Sequence, residues 1–185
     1  PRVLRLGTAC LATMPLPQLV QPLLDELSER IGESSSVSIL DGAEIVYVAR
    51  AAQRKVMSIA LMPGSRLPAY CTSMGRVLLA ALPEAEARER LGAAPLPRRT
   101  PHTLTDPGAI LAELARIRTD GYAVIDQEVE IGLRSIAVPL VSSRRQTVAA
   151  LNLGLPARGE PIAELVERYL PALRDVSARM REILR

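Results

Sequence analysis

The chain has 185 residues, with 23 lysine and arginine residues against 20 aspartate and glutamate residues and a formal net charge of +3. This length suits one domain, and 48% hydrophobic with 23% charged residues excludes a disordered chain. The apolar stretches are far shorter than the roughly 20 residues of a membrane helix, and the cations form no block typical of nucleic-acid binding. No secretory signal pattern opens the chain, and two distant cysteines, Cys10 and Cys71, predict reduced thiols in a cytoplasmic protein without membrane contact.

Helical and strand periodicities alternate along the first half of the chain. An apolar stripe with a spacing of four residues ends at Gly32 and predicts a helix, after which the period changes to two around the hairpin signal Asp41-Gly42. Pro22 is expected to lie in the first turn of that helix or to kink it. The predicted elements are a connecting helix over 3–13, a helix over 19–31, strands over 37–40, 44–49 and 56–61, and helices over 72–82 and 83–92.

The second half repeats this order. Asp106-Pro107 has the form of a helix start and Gly121 that of a helix stop. The predicted elements are a helix over 107–120, strands over 122–126, 134–141 and 147–153, and a long amphipathic helix over 162–183. Two three-stranded antiparallel runs between helices indicate an α+β fold with a mainly antiparallel sheet of about six strands. We expect a connecting segment at 1–16 and one domain over 17–185.

The sequence does not favour an enzyme. The single histidine, His102, lies in a loop rich in proline, and Cys71 before a helix start is better explained as a small buried side chain than as a nucleophile. No phosphate-binding loop, dinucleotide fingerprint or metal-binding spacing is present, so we expect no cofactor and no metal. The acidic residues Asp126, Glu128 and Glu130 are typical of a solvated loop or a helix cap.

Two polar features of the sequence instead favour the recognition of a small molecule. Thr72 and Ser73 open a helix, where unpaired N–H groups favour an anion, although simple helix capping explains at least one of them. Asn152 interrupts an otherwise apolar strand, and its amide needs a partner, which is either a structural hydrogen bond or a ligand.

Three sequence blocks together resemble the IclR family of bacterial transcriptional regulators. The blocks are Pro63-Gly64-Ser65-Arg66-Leu67-Pro68 with Thr72-Ser73-Met74-Gly75-Arg76, then Gly121-Tyr122-Ala123-Val124 with Gly132-Leu133-Arg134-Ser135-Ile136-Ala137-Val138-Pro139, and Ala150-Leu151-Asn152-Leu153-Gly154. They occur in the family's order over the whole chain. The residues of these blocks are most similar to those of the PcaR/PcaU/PobR subgroup, which regulates aromatic-acid catabolism.

The resemblance implies a GAF-like effector-binding domain that dimerises or forms tetramers, in a protein whose N-terminal winged helix-turn-helix binds operator DNA. That DNA-binding domain is absent from this chain, and the segment over 3–13 would be the helix that joins it. The effector would be a small carboxylate such as protocatechuate, 4-hydroxybenzoate or a β-ketoadipate-type acid. The resemblance implies ligand-binding roles for Val56, Ile59, Tyr70, Ser73, Met74, Ile125, Ser135, Asn152 and Gly154, with Thr72 at the helix start and Arg66 and Arg134 as candidate carboxylate partners.

Three other interpretations stay open. The first is a small-molecule sensor domain that is not coupled to DNA. The second is a small acyl-transfer enzyme that uses Cys71. The third is a purely structural dimerisation module, which would bind no ligand.

Overall fold

The structure is a computed structural model that describes residues 15–53, 61–92 and 95–184. The predicted connecting helix over 3–13 lies outside these residues, and so does most of the predicted strand over 56–61. The helices are α1 (Pro15–Ile31), α2 (Ser73–Ala80), α3 (Glu84–Leu91), α4 (Pro107–Asp120) and α5 (Ile162–Ile183). The strands are β1 (Ser34–Asp41), β2 (Glu44–Ala51), β3 (Arg66–Pro68), β4 (Ala123–Asp126), β5 (Leu133–Val141) and β6 (Thr147–Pro156).

Helix boundaries follow the local signals in the sequence. The Asp106 carboxylate accepts a hydrogen bond from the Ala109 N–H at the start of α4, and Gly121 ends that helix in the left-handed conformation. Gly32 ends α1 with a φ of 76°. The stripe over 19–31 predicted only the second part of α1, which begins at Pro15 and therefore encloses Pro22 in its interior.

The six strands form one antiparallel sheet in the order β3-β2-β1-β6-β5-β4. The expected α+β fold with about six strands is therefore confirmed. The third strand of the described sheet is Arg66–Pro68, which pairs with β2 and was not predicted, whereas the predicted strand over 56–61 is not tested because most of it lies outside the described residues. Three residues give too short an alternation for a period of two to be recognised in the sequence.

Apolar side chains pack on both faces of the sheet. On one face, residues of α1 and α5 such as Leu27 and Leu173 contact strand residues such as Leu151. On the other face, residues of α2, α3 and α4 pack against residues such as Ile45 and Ala150. The sheet is thus the middle of three layers. Within the described ranges, we find no helix of the length and apolarity needed to cross a membrane.

Candidate functional site

A cavity lies between the sheet and the N-terminus of α2, on the face covered by α2, α3 and α4. Its empty space, including the mouth that opens to solvent, is about 470 Å³, and only a small part of it is wide enough for a water molecule. Most of the wall is apolar, with a few polar side chains from three strands and from the start of α2. The lining residues are Tyr47, Arg50, Leu61, Leu67, Thr72, Ser73, Met74, Val129, Leu133, Ser135, Asn152 and Gly154.

Two adjacent hydroxyl groups at the start of α2 have different partners. The Thr72 hydroxyl accepts a hydrogen bond from the Gly75 N–H, 3.2 Å away, and donates to the backbone carbonyl of Pro68, so Thr72 caps the helix. Ser73 is 1% exposed, and its Oγ has no hydrogen-bond partner among the described residues. A buried hydroxyl without a partner costs free energy, which a ligand with a polar atom would recover.

The sheet contributes a row of three polar side chains from neighbouring strands. Arg50 of β2 and Asn152 of β6 both pair in register with Ser36 of the intervening strand β1. Paired residues of neighbouring strands project from the same face, so all three side chains lie on the cavity side. The Arg50 guanidinium extends across β1 and donates from Nη1 to the Ser36 hydroxyl at 3.0 Å.

Two atoms of this row have no partner among the described residues. They are Nε of Arg50, a donor, and Oδ1 of Asn152, an acceptor. Burial lowers the pKa of Arg50, although the guanidinium stays charged because its ordinary pKa is far above neutral. Burial also raises the pKa of the neighbouring Tyr47 to about 12, so its phenol is neutral. Among the described lining residues, Arg50 is the one charged side chain, so these residues contribute one net positive charge to a mostly apolar wall.

Six of the twelve residues predicted to bind a ligand line this cavity together. The structure brings them together from α2 and from strands β5 and β6, which are far apart in the sequence. They are Thr72, Ser73, Met74, Ser135, Asn152 and Gly154. Two further predicted residues, Val56 and Ile59, lie outside the described residues. The ligand-binding roles themselves stay predictions.

The two arginines predicted as carboxylate partners are placed elsewhere. Arg66 forms ion pairs with Asp41 and Glu44 at the exposed edge of the sheet. Arg134 follows Leu133 and precedes Ser135 on β5, and strand alternation places it on the opposite face from these two cavity residues.

The partners of Arg134 on that opposite face are acidic. Its guanidinium forms ion pairs with the carboxylates of Asp126 and Glu160 and donates to the Glu160 carbonyl at 2.6 Å. Because this hydrogen-bonded ion pair stabilises both charged forms, it lowers the pKa of Asp126 and raises that of Arg134. Arg134 therefore joins β5 to β4 and to the segment before α5.

Tyr70 and Ile125 are buried near the cavity but do not line it. The Tyr70 hydroxyl donates to the backbone carbonyl of Pro97, which fixes the ring against the loop before α4. Ile125 of β4 pairs in register with Ser135, so it lies on the cavity side of the sheet one strand further out.

Sequence reasoning missed Arg50, the cationic residue of the cavity. Arg50 follows a run of five residues, Ile45–Ala49, that reads as the end of a buried strand, and nothing local distinguishes it from a solvated arginine. The hairpin signal at Asp41-Gly42 does not place Arg50 correctly either. Extended without a break, that register would pair Ser36 with Ala49 and put Arg50 opposite Ser35. A β-bulge between Val37 and Ser38 shifts the register by one residue and makes Arg50 the partner of Ser36.

Neither of the two environments predicted for the acidic cluster, a solvated loop or a helix cap, describes Glu128. This residue is buried, and its Oε2 accepts from Arg76 Nη2 at 2.7 Å and from the Leu104 N–H at 2.9 Å. Burial raises the pKa of Glu128, while Arg76 acts in the opposite direction. The pair links α2 directly to the loop that carries the cavity residue Val129.

Neither Cys71 nor His102, the two residues considered for catalysis in the sequence, has an activating partner among the described residues. Cys71 is fully buried, and burial raises the pKa of its thiol to about 11, which disfavours the reactive thiolate. His102 uses its backbone N–H to bond the Thr100 hydroxyl in an exposed turn. No group of three metal-ligating side chains that could hold an ion occurs within the described ranges.

An apolar cavity with unpaired polar groups, built on an antiparallel sheet, defines a small-molecule-binding domain. A family model described as bacterial transcriptional regulator IclR, C-terminal, matches residues 8–181. The chain belongs to this family and is an effector-binding domain of the IclR type.

Curated relatives with similar sequences are named as regulators. The chain is 45% identical over 174 residues to the Pca regulon regulatory protein of Pseudomonas putida, covering 94% of this chain and 60% of that protein. It is 33% identical over 188 residues to the p-hydroxybenzoate hydroxylase transcriptional activator of Acinetobacter baylyi, covering 99% and 69%. The chain thus spans about 60% of the length of the first of these relatives.

Two similar solved structures contain aromatic acids. One is the inducer-binding domain of a double mutant of the PobR transcription factor from Acinetobacter with 3-hydroxybenzoic acid, at a TM-score of 0.85 and 32% identity over 92% of this chain and 100% of that chain. The other is an IclR homologue from Microbacterium hydrocarbonoxydans with 4-hydroxybenzoate, at a TM-score of 0.81 and 28% identity over 90% and 67%.

Proposed function

We propose that this domain binds a small carboxylate, an aromatic acid such as protocatechuate or 4-hydroxybenzoate or a β-ketoadipate-type acid, in the cavity between the sheet and α2. The observation that carries the proposal is the Arg50 guanidinium, whose Nε–H lies in the cavity with no partner in the part of the chain that the structure describes. A half-buried cation with a buried, unpaired N–H favours an anion, because a charge-assisted hydrogen bond restores part of the solvation that the guanidinium lost on folding.

The start of α2 supplies a second favourable interaction for the anion. The unpaired Ser73 hydroxyl lies at the helix N-terminus, where the partial positive charge of the helix dipole favours a carboxylate. The apolar part of the ligand would pack on Met74, Leu67 and Leu133. Since little of the cavity is wide enough for a solvent molecule, the ring has to displace these side chains outward.

The names of the relatives support the aromatic class. The two solved structures hold hydroxybenzoates, and the Pseudomonas putida relative is named for the Pca regulon. By the same likeness we propose that the domain acts in a cytoplasmic regulator that forms dimers or tetramers and binds operator DNA through a separate domain. Effector binding would then shift the population of conformations that differ in operator affinity, and about 1.4 kcal/mol of differential binding changes that affinity tenfold.

Isothermal titration calorimetry with protocatechuate, 4-hydroxybenzoate, β-ketoadipate, pyruvate and glyoxylate tests this proposal. We expect saturable binding of at least one of the first three acids. Arg50→Met, which keeps the length of the side chain, should weaken it at least tenfold because it removes a buried charge-assisted bond. Arg66→Met is the matched variant at the exposed edge and should change the dissociation constant by less than about threefold.

Two outcomes would contradict the proposal. No saturable binding of any of the five acids would favour a purely structural dimerisation module. Binding that is insensitive to Arg50→Met but lost in Arg66→Met or Arg134→Met would place the carboxylate at the arginines expected from the sequence.

A further inference from the structure

We infer that Asn152 is a specificity-determining residue that accepts a hydrogen bond from a hydroxyl group of the effector, so that the cavity selects hydroxy acids over acids without a second O–H. This inference rests on the proposed binding of an acid in the cavity. Its basis is the Oδ1 atom of Asn152, which lines the cavity and has no partner within the described residues.

The neighbours of Asn152 on the sheet do not supply the missing donor. Its two cross-strand partners are Ser36 on β1 and Ala137 on β5. The Ser36 hydroxyl accepts from Arg50 and makes no hydrogen bond to Asn152 Oδ1, and the alanine side chain has no polar atom. Met74 and Val129, which line the same cavity, are apolar. Asn152 is only 8% exposed, so bulk water reaches it little.

The chemistry of the ligand follows from the type of the unpaired atom. An amide oxygen accepts hydrogen bonds, and a carboxylate at neutral pH has no proton to donate to it. The group that contacts Oδ1 must therefore be an O–H or N–H. Arg50 Nε, by contrast, is a donor and suits the carboxylate. The two atoms therefore suit a single ligand that has a carboxylate at one end, for Arg50 Nε, and a hydrogen-bond donor at the other, for Asn152 Oδ1.

The sheet register places these two side chains on either side of Ser36. Arg50 and Asn152 are both partners of Ser36, so their backbones are two strands, or roughly 10 Å, apart. The Arg50 guanidinium reaches the Ser36 hydroxyl, so it lies closer to Asn152 than the backbone separation. We expect a benzoate with its carboxylate at Arg50 to contact Asn152 through a meta- or para-hydroxyl, which lies on the far side of the ring.

A ligand series on the unmodified domain tests the inference without any variant. The series compares 3- and 4-hydroxybenzoate with benzoate, which lacks the hydroxyl, and with 4-methoxybenzoate, which keeps the oxygen but cannot donate. We expect at least one hydroxybenzoate to bind about 10- to 100-fold more tightly than both acids without a donor, because these leave the buried acceptor unpaired.

Variants then assign the preference to one side chain. Asn152→Leu and Asn152→Ala should reduce the difference between hydroxybenzoate and benzoate to less than about threefold, chiefly by weakening the hydroxybenzoate. Ser38→Ala is the control, since Ser38 Oγ is also buried without a partner among the described residues but does not line the cavity. This variant should retain the full preference, and Arg50→Met should weaken all four acids by a similar factor.

Failure of the inference about Asn152 can be distinguished from failure of the proposed function. If all four acids bind with equal affinity, or if the preference survives in both Asn152 variants, the inference is overturned while the proposed function stands. If none of the four acids nor any other acid of the calorimetric panel binds, both are overturned.

Discussion

Gly75 lies where α2 meets the short 3-10 turn Ala69–Cys71 that precedes it. A Cβ at this position would come within 2.2 Å of the Ala69 carbonyl oxygen and 2.4 Å of its Cα. These are backbone atoms that cannot rotate away, so the close approach of turn and helix requires glycine. The same approach brings Thr72 and Ser73 to the cavity, which connects this residue to the site.

We therefore expect Gly75→Ala to lower the free energy of unfolding by about 2 kcal/mol or more, through backbone displacement. Urea denaturation measures the change. Gly108→Ala in α4 is the matched control, because its Cβ would meet only the flexible Asp106 carboxylate at 3.1 Å. That variant should differ from the parent by less than about 1 kcal/mol. Equal effects of the two substitutions would contradict the packing explanation.

The thiol of Cys71 gives a prediction about pH. Burial raises its pKa from 9.0 to about 11, so at any pH below that value less thiolate is present than in a solvated cysteine. At pH 8 the thiolate fraction is lower by roughly 100-fold. In a Cys10→Ser variant, which retains only Cys71, alkylation by iodoacetamide should be correspondingly slow and should accelerate toward pH 11. A rate that reaches its plateau near pH 8 would instead support the acyl-transfer interpretation.

At the scale of elements, α1 contains prolines in two different situations. Pro17 is the third residue of the helix, where the backbone nitrogen needs no intrahelical partner, whereas Pro22 lies in the interior on the exposed side. An interior proline removes one helical hydrogen bond and costs about 3 kcal/mol, of which the stiffer unfolded chain recovers up to about 1 kcal/mol.

Pro22→Ala should consequently raise the free energy of unfolding by about 1–2 kcal/mol. Pro17→Ala, on the same helix, should leave it within about 0.5 kcal/mol. Thermal and urea unfolding followed by circular dichroism measure both. A loss of stability in Pro22→Ala would mean that the proline shapes α1 to fit the sheet.

At the scale of the whole molecule, the cavity and α1 lie on opposite faces of the sheet but share the same strands. The Gln21 side chain of α1 donates to the Arg50 carbonyl at 3.1 Å, and the Ser28 and Ser35 hydroxyls bond each other at 2.8 Å. Ser35 precedes Ser36, the partner of Arg50 in the cavity. A ligand that orders the Arg50 side chain therefore stabilises backbone to which α1 is directly bonded.

Hydrogen exchange monitored by mass spectrometry tests this connection. A saturating acid should slow amide exchange in α2, whose start lines the cavity, and also in α1 on the far face. Exchange in α3, which contacts α2 and α4 but not the cavity, should change little. Slowing confined to α2 would contradict transmission through the sheet.

Within the described residues, the sequence by itself determined the five helices, five of the six strands and the α+β class. These features depend on local chemistry: the apolar period, the Asp41-Gly42 hairpin, and stops such as Gly121. It also selected Ser73, because Thr72 and Ser73 open a helix, and Asn152, because a polar residue interrupts an otherwise apolar strand there.

Only the tertiary structure decided which charged residue belongs to the cavity. Arg66, Arg134 and Arg50 are chemically equivalent in a sequence, and their roles depend on strand pairing. Arg66 at the sheet edge and Arg134 on the opposite face form ion pairs with acidic residues, whereas Arg50 lies beside Ser36 and its Nε has no partner among the residues that the structure describes. Likewise Glu128 is a buried partner of Arg76 only because α2 packs against its loop, 52 residues away in the chain. The environment of a charged side chain depends on which distant residues pack against it, and a local sequence pattern does not encode that pairing.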